Sequence, residues 1–227
     1  DSVELEPTAL REEVDFLLEH AARYLTRDPV AEDVRSVFVG IRPLVAEGEA
    51  DETAEISREH AVRVSESGVL TIAGGKWTTY RKMAEDVVDL AETLGDLEDE
   101  RCVTEELQIH GYHAHPEDLG RLSVYGADAM HLDEIASEDP RLAEPLHPRL
   151  DVTRAEVVWA CREEMARTVD DVLARRSRAL IFDARAAVEA ARDVAELMAF
   201  ELQRDASWVD AQVAAFGEVA AKHVWEG

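Results

Sequence analysis

Between Val69 and Leu94 the hydrophobic rhythm of the chain changes once. Val69-Leu-Thr-Ile-Ala73 is β-branched or apolar and predicts a short buried strand. From Tyr80 onward apolar side chains recur at Met83, Val87, Ala91 and Leu94, one face of a helix, with Gly95 placed as its C′ residue. Upstream, Leu10, Val14, Leu17, Leu18 and Ala21 predict an amphipathic helix over 7–24, with Thr8 as its cap and Asp28-Pro29 at its end. Segments 34–39 and 56–64 predict strands, the second joined to Val69 by Ser67-Gly68 as a hairpin. A short strand is also expected at 105–110. From Asp118 the pattern is helical. Thr153-Arg-Ala-Glu156 is a capping box opening a long helix through Met165, Val169 and Leu173, with Glu163–Arg167 and Asp171–Arg175 as i, i+4 pairs. Asp183 opens another helix, and Ser207 and Asp210 begin the last. The predicted fold class is α+β: a small, partial antiparallel sheet, then a mainly α-helical bundle.

Charge changes the picture next. The 227 residues carry 50 acidic against 24 basic side chains, for a net charge of −26, and only Lys76, Lys82 and Lys222 are lysines. Nucleic acid is excluded as a partner, since neutralising phosphates needs a basic face. An anionic lipid surface is disfavoured for the same reason. Acidic residues are interleaved with apolar ones along the chain, unlike a disordered acidic tail. The expectation is a salt-adapted, cytoplasmic protein of a halophilic archaeon, whose surface carboxylates stay hydrated where salt screens charge over a few Å. Cys102 and Cys161 lie far apart and form neither a disulfide framework nor an iron–sulfur pattern. No apolar run is long enough to span a bilayer, and the acidic Asp1–Glu6 start does not read as a signal peptide.

Candidate chemistry concentrates where the rhythm changes, at Gly74-Gly-Lys-Trp-Thr-Thr79. Gly74 and Gly75 admit positive φ and close approach of a ligand to the backbone. Thr78 or Thr79 can cap the following helix, whose first N–H groups form an electropositive end, and Lys76 adds a full charge there. The phosphate-loop spacing G-x-x-x-x-G-K-[ST] is absent, and a glycine turn that merely lets the helix pack reads equally well from these residues alone. His110, His113 and His115 have a spacing that could ligate zinc, but no cysteine or fixed scaffold accompanies them, and no metal site is expected.

Gly74–Arg81, followed by Met83-Ala-Glu85, resembles the closing segment of the FAD domain in FAD-dependent, quinone-linked glycerol-3-phosphate dehydrogenases. Gly40-Ile-Arg-Pro-Leu44 resembles that family's G-[IVL]-R-P-L segment. Leu119–Gly126 resembles its R-L-x-x-x-Y-G helix end, with Gly126 as C′ residue, and 154–178 its long C-terminal helix. The resemblance implies that 1–98 is the end of an FAD-dependent oxidoreductase domain and 99–227 a helical C-terminal domain. It implies oxidation of glycerol 3-phosphate to dihydroxyacetone phosphate, with hydride passing to the flavin and electrons on to a quinone. Arg42 and Lys76 would be the catalytic residues, Arg42 reaching the substrate. Gly74, Gly75, Lys76, Trp77, Thr78 and Thr79 would hold FAD, and His60 would lie near the flavin domain without being its base. Peripheral association with the inner face of the cell membrane, or with partner subunits, would follow. The family's G-x-G-x-x-G motif does not occur in the chain, so a fragment is expected, inactive alone and unable to hold FAD by itself. The alternatives are a piece of an FAD-dependent amino-acid or amine oxidase, or a non-enzymatic helical interaction module.

Overall fold

The computed structural model describes residues 7–41, 60–98 and 100–226. They fall into two compact units, one of 7–40 with 111–226, the other comprising the described residues from Ile41 to His110. The first helical segment thus belongs to the same unit as the C-terminal helices.

The smaller unit is a hairpin and one helix. Strands β1 (His60–Val64) and β2 (Leu70–Gly74) pair antiparallel, with His60 opposite Gly74 and Val64 opposite Leu70. Residues 56–59 of the expected strand lie outside the described residues. Gly68 closes the hairpin at φ 83°, and its N–H donates to the Ser65 carbonyl at 2.9 Å. Helix α2 (Tyr80–Gly95) keeps Gly95 as its last helical residue. The left-handed position passes to Asp96 at φ 51°, and the Leu97 N–H returns to the Glu92 carbonyl at 3.0 Å. Aspartate tolerates this conformation because its short polar side chain bonds locally. No strand forms at 105–110. The chain turns at Thr104–Glu106 instead, and the Arg81 guanidinium reaches Thr104 Oγ1 at 3.2 Å and Glu105 at 3.4 Å. No residue of the hairpin or of α2 is fully buried. Two strands and one helix have too little apolar surface to close a core.

The larger unit has a real core. Helix α1 (Arg11–Ala22) is shorter than predicted and is capped at Leu10 by the Glu13 carboxylate, which accepts the Leu10 N–H at 3.2 Å, so Thr8 has no capping role. Residues 34–40 are extended but join no sheet. Their polar groups serve helix ends: the Arg35 carbonyl accepts the Ala184 N–H (3.1 Å), Ser36 Oγ donates to the Leu180 carbonyl (2.7 Å), and the Val37 N–H donates to the His223 carbonyl (2.9 Å). Helix termini leave such groups unpaired, and an extended segment alongside can satisfy them as a strand partner would.

Helix α4 (Arg154–Arg162) is buried from Ala155 to Cys161 without a break. It serves two clusters: Leu122, α3 (Ala129–Glu138) and Trp159 on one side, α6 (Ala184–Leu202) and α7 (Ala206–Ala221) on the other. A helix apolar all round is the interior of its domain. The capping box holds, with Glu156 Oε2 accepting the Thr153 N–H at 2.7 Å. The long helix predicted beyond it does not. Met165 takes φ 56°, and Arg167 donates to the Cys161 and Ala166 carbonyls instead of pairing with Glu163. A π-helical turn then spans Asp171–Arg176 before the short α5 (Ala179–Phe182). The Asp171–Arg175 pair does form, at 3.2 Å. Asp183 caps α6 through the Ala186 N–H (2.9 Å), and Asp205, rather than Ser207, caps α7 through the Trp208 N–H (3.0 Å).

The Leu119–Gly126 segment ends no helix. Pro116–Asp128 is a run of 3-10 turns interrupted at Gly120 and Gly126, both near φ 55° and ψ −126°, and it runs directly into α3. At Gly126 a Cβ would stand 1.8 Å from the Gly111 carbonyl oxygen, which accepts the Ala127 N–H at 3.0 Å. Gly126→Ala is therefore expected to cost about 3 kcal/mol or more through strain and overpacking. Gly217→Ala, mid-helix in α7 with open space around it, should stabilise by about 0.5–1 kcal/mol. Urea unfolding of both variants measures the opposite signs.

Candidate functional site

Residues 67–84 contain no Asp or Glu, the longest such stretch in a chain with 50 of them, and they hold two of its three lysines. The diglycine turn lies within this stretch. Both glycines take positive φ, 77° at Gly74 and 78° at Gly75, so neither position accepts another residue without strain. A Cβ on Gly75 would stand 2.5 Å from Met83 Sδ and 3.2 Å from His60 Cβ. The protein's own side chains thus fill the space beneath Gly75, and the packing reading of this glycine is correct as far as it goes.

What the turn exposes is a different matter. Lys76 to Thr79 point to solvent, and the next four residues open α2 with Arg81 and Lys82 in the first turn and no acidic residue there. Trp77–Thr79 form one 3-10 turn, whose first N–H groups have no partner within the turn. The side-chain cap expected from Thr78 or Thr79 is not made. Thr79 donates to the Lys76 carbonyl through both Oγ1 (3.0 Å) and its N–H (2.9 Å), closing the turn and, among the described residues, leaving the Trp77 and Thr78 N–H groups unclaimed. Among the described residues the Lys76 ammonium makes no ion pair. Trp77, 85% exposed, stacks on Tyr80 at 5.3 Å between centroids and 25° between planes. Tyr80, expected on the apolar stripe of the helix, is exposed as well, because the 3-10 turn rotates it off that face.

Below this surface the charges are paired. Arg81 meets Glu85 at 2.7 Å, Lys82 meets Glu85 at 3.3 Å and Asp86 at 2.9 Å, and His60 Nε2 lies 2.8 Å from Asp86 Oδ2. The hydrogen bond from Arg81 holds the Glu85 carboxyl below its ordinary 4.5, and Lys82, then His60, hold Asp86 below 3.8. Depressed carboxylates stabilise the fold fully above their unfolded values, so this contribution is present above about pH 4.5 and is lost as pH falls through the lower folded values.

Six sequence-predicted residues, Gly74 to Thr79, are therefore one turn with one exposed electropositive face. Arg42 lies outside the described residues. Sequence reading missed the Trp77–Tyr80 stack and the His60–Asp86 bond. The first had a signal in its i, i+3 spacing; the second joins residues 26 apart and had none. Among the described residues, those of 110–115 included, no group of three or more His, Cys, Asp or Glu could hold a metal ion. The Cys161 thiol, pushed up to about 11 by burial, is inert.

Residues 69–209 match the family model described as the C-terminal domain of alpha-glycerophosphate oxidase. The chain is 34% identical over 226 residues to glycerol-3-phosphate dehydrogenase 2 of Mycobacterium tuberculosis, covering 92% of this chain and 38% of that protein. It is 35% identical to a probable mitochondrial glycerol-3-phosphate dehydrogenase of Caenorhabditis elegans, covering 88% of this chain and 31% of that one. The crystal structure of glycerol-3-phosphate dehydrogenase from Bacillus halodurans complexed with FAD has the same fold, with a TM-score of 0.73 at 24% identity over 98% of this chain and 47% of that one. The chain thus spans about a third to two fifths of the length of the curated relatives it matches.

Gly75→Ala, which forces both a left-handed alanine and a shift of Met83, should cost about 1–2 kcal/mol. Amide hydrogen exchange should localise the loss to 70–83 and leave α6 unchanged.

Proposed function

The chain belongs to the family of the C-terminal domain of alpha-glycerophosphate oxidase, and we propose that it is part of an FAD-dependent glycerol-3-phosphate dehydrogenase. In this reading the full-length enzyme oxidises sn-glycerol 3-phosphate to dihydroxyacetone phosphate in glycerol catabolism. The observation that carries it is the acid-free, outward-facing turn 74–79 in an otherwise strongly acidic chain. FAD and a phosphate ester are both anionic, and exposed N–H groups beside an unpaired ammonium are what such groups require.

The turn fits a flavin on its open side. Glycine at 74 and 75 keeps the backbone bare, and the N–H groups of Trp77 and Thr78 are unclaimed within the turn. When bound, FAD supplies the two-electron oxidation of the substrate's secondary alcohol. The part of this chain would be electrostatic: Lys76 and the N–H groups of the turn would hold the flavin and stabilise negative charge developing on it, as preorganised donors do. Trp77 and Tyr80, stacked on each other and exposed, present an apolar surface beside the turn. We assign Arg42 to the substrate phosphate, where its planar fork presents paired donors.

The electron acceptor is a quinone in this proposal, with the enzyme at the cytoplasmic face of the membrane and associated peripherally. Among the described residues no helix is long and apolar enough to cross a bilayer. The net charge of −26 supports a salt-adapted surface.

In the full-length enzyme, Arg42→Ala should lower kcat/KM for glycerol 3-phosphate by roughly 30- to 1000-fold, about 2–4 kcal/mol, with FAD content unchanged. Lys76→Ala should lower both, and Arg42→Lys should recover only part of the loss. Flavin absorbance with steady-state kinetics separates these outcomes, and wild-type kinetics in Arg42→Ala would remove it from the site. Self-repulsion reaches about 30 Å at 0.01 M salt. The melting temperature is therefore expected to climb steeply toward molar KCl, and a flat profile would contradict salt adaptation.

A further inference from the structure

Two adjacent glycines give the 74–79 turn little stiffness of its own, so its geometry must be imposed by what flanks it. Two ties do this. Met83 packs beneath Gly75 from the helix side. From the sheet side His60, directly opposite Gly74 in the ladder, sends its imidazole to Asp86 in the second turn of α2. The two ties meet at one place, because His60 Cβ would also lie 3.2 Å from a Cβ at Gly75. The His60 side chain is 24% exposed and Asp86 32%. An ionised carboxylate only accepts, so the imidazole Nε2–H is the donor in the 2.8 Å contact. Asp86 keeps its other oxygen for Lys82 Nζ at 2.9 Å, which helps hold it ionised. Met83 supplies only non-directional packing. The His60–Asp86 bond is directional, and it fixes how far α2 can slide along the hairpin.

We propose that His60 is a positioning residue: through Asp86 it locks α2 onto the β1–β2 hairpin and so sets where Lys76 and the first N–H groups of the turn stand. That it does so for a flavin rests on the functional reading above; that it orders the turn does not. A histidine–aspartate pair is also the arrangement of a general base, and the two roles part at one substitution. Glutamine places an amide N–H near the position of Nε2 and can hold Asp86, but it cannot carry a proton away.

The test uses the natural full-length polypeptide with His60→Ala and His60→Gln, each read by amide hydrogen exchange over 74–80, flavin reduction potential, and kcat and KM for glycerol 3-phosphate. His60→Ala is expected to speed exchange of the turn about tenfold or more. It should also shift the flavin potential and lower kcat by about ten- to a hundredfold, as a misplacement on the order of 1 Å would. His60→Gln should bring exchange, potential and kcat most of the way back. Unchanged exchange in His60→Ala overturns the proposal. So does a His60→Gln protein with restored exchange but no restored kcat, since that marks a proton-transfer role. If the wild-type protein holds no flavin or does not oxidise glycerol 3-phosphate, the functional reading fails, and the exchange measurement alone then decides whether His60 orders the turn.

Discussion

The helical unit depends on one buried carboxylate. Glu156, with a side chain 8% exposed, accepts the Thr153 N–H and hydroxyl at 2.7 and 2.9 Å, Arg121 Nη1 at 2.6 Å and the Tyr125 hydroxyl at 3.1 Å. An ion so far from water is tolerable only when paired and fully hydrogen-bonded, and removing a single partner leaves an uncompensated charge. Satisfying Glu156 therefore brings the 116–128 turns against the start of α4. The same contacts push the Tyr125 phenol well above its ordinary value, first by burial and then through the Glu156 charge, so it remains a neutral donor. Once α4 is anchored at its first turn, its apolar residues pack against α3 on one side and the alanine-rich face of α6 on the other.

The hairpin unit is held together on a different principle. Among its described residues no side chain is fully buried, and polar contacts tie α2 to β1 through His60–Asp86 and to the 102–105 segment through Arg81–Thr104, with Arg81 held in turn by Glu85 one helical turn on. Such partly exposed pairs are individually weak and screened by salt, unlike the packed core. A chain adapted to high salt would gain little from them in stability but still use their directionality. The unit that carries the candidate site is thus defined by orientation more than by burial. Under the proposed function, that suits a turn presenting donors to an anion at a fixed place.

The electropositive face of that turn depends on an omission as much as on Lys76. Acidic side chains are spread over the rest of the chain, and one within the first turn of α2 would occupy the N–H groups and neutralise the helix end. From Ser67 to Ala84 there is none, and the first carboxylates, Glu85 and Asp86, sit where they pair with Arg81, Lys82 and His60 rather than with the turn.

Local rules were legible in the sequence wherever a short stretch fixes its own geometry. The β2–turn–α2 succession, the Ser67-Gly68 hairpin, the Thr153–Glu156 box, the Asp183 cap and the positive-φ glycines at 74 and 75 all follow from residues within a few positions of one another. Motif resemblance added the family, which the match over 69–209 bears out. Tertiary structure decided what involves partners distant in sequence. The 34–40 segment alternates like a strand yet serves the ends of α5, α6 and α7, because orphan helix groups 140 or more residues away claim its N–H and C=O groups. Helical periodicity continues past Arg162, but at the end of α4 the Ala166 N–H takes the Ala160 carbonyl and Arg167 takes that of Cys161, and the chain goes on into a π-helical turn. Gly126 reads as a helix stop and is instead the point where the Gly111 backbone passes within reach, a contact no local pattern encodes. Hydrophobic period and turn chemistry act over one or two turns of chain, whereas a buried charge or an unpaired carbonyl takes whichever donor the fold brings near, and that choice is made only in three dimensions.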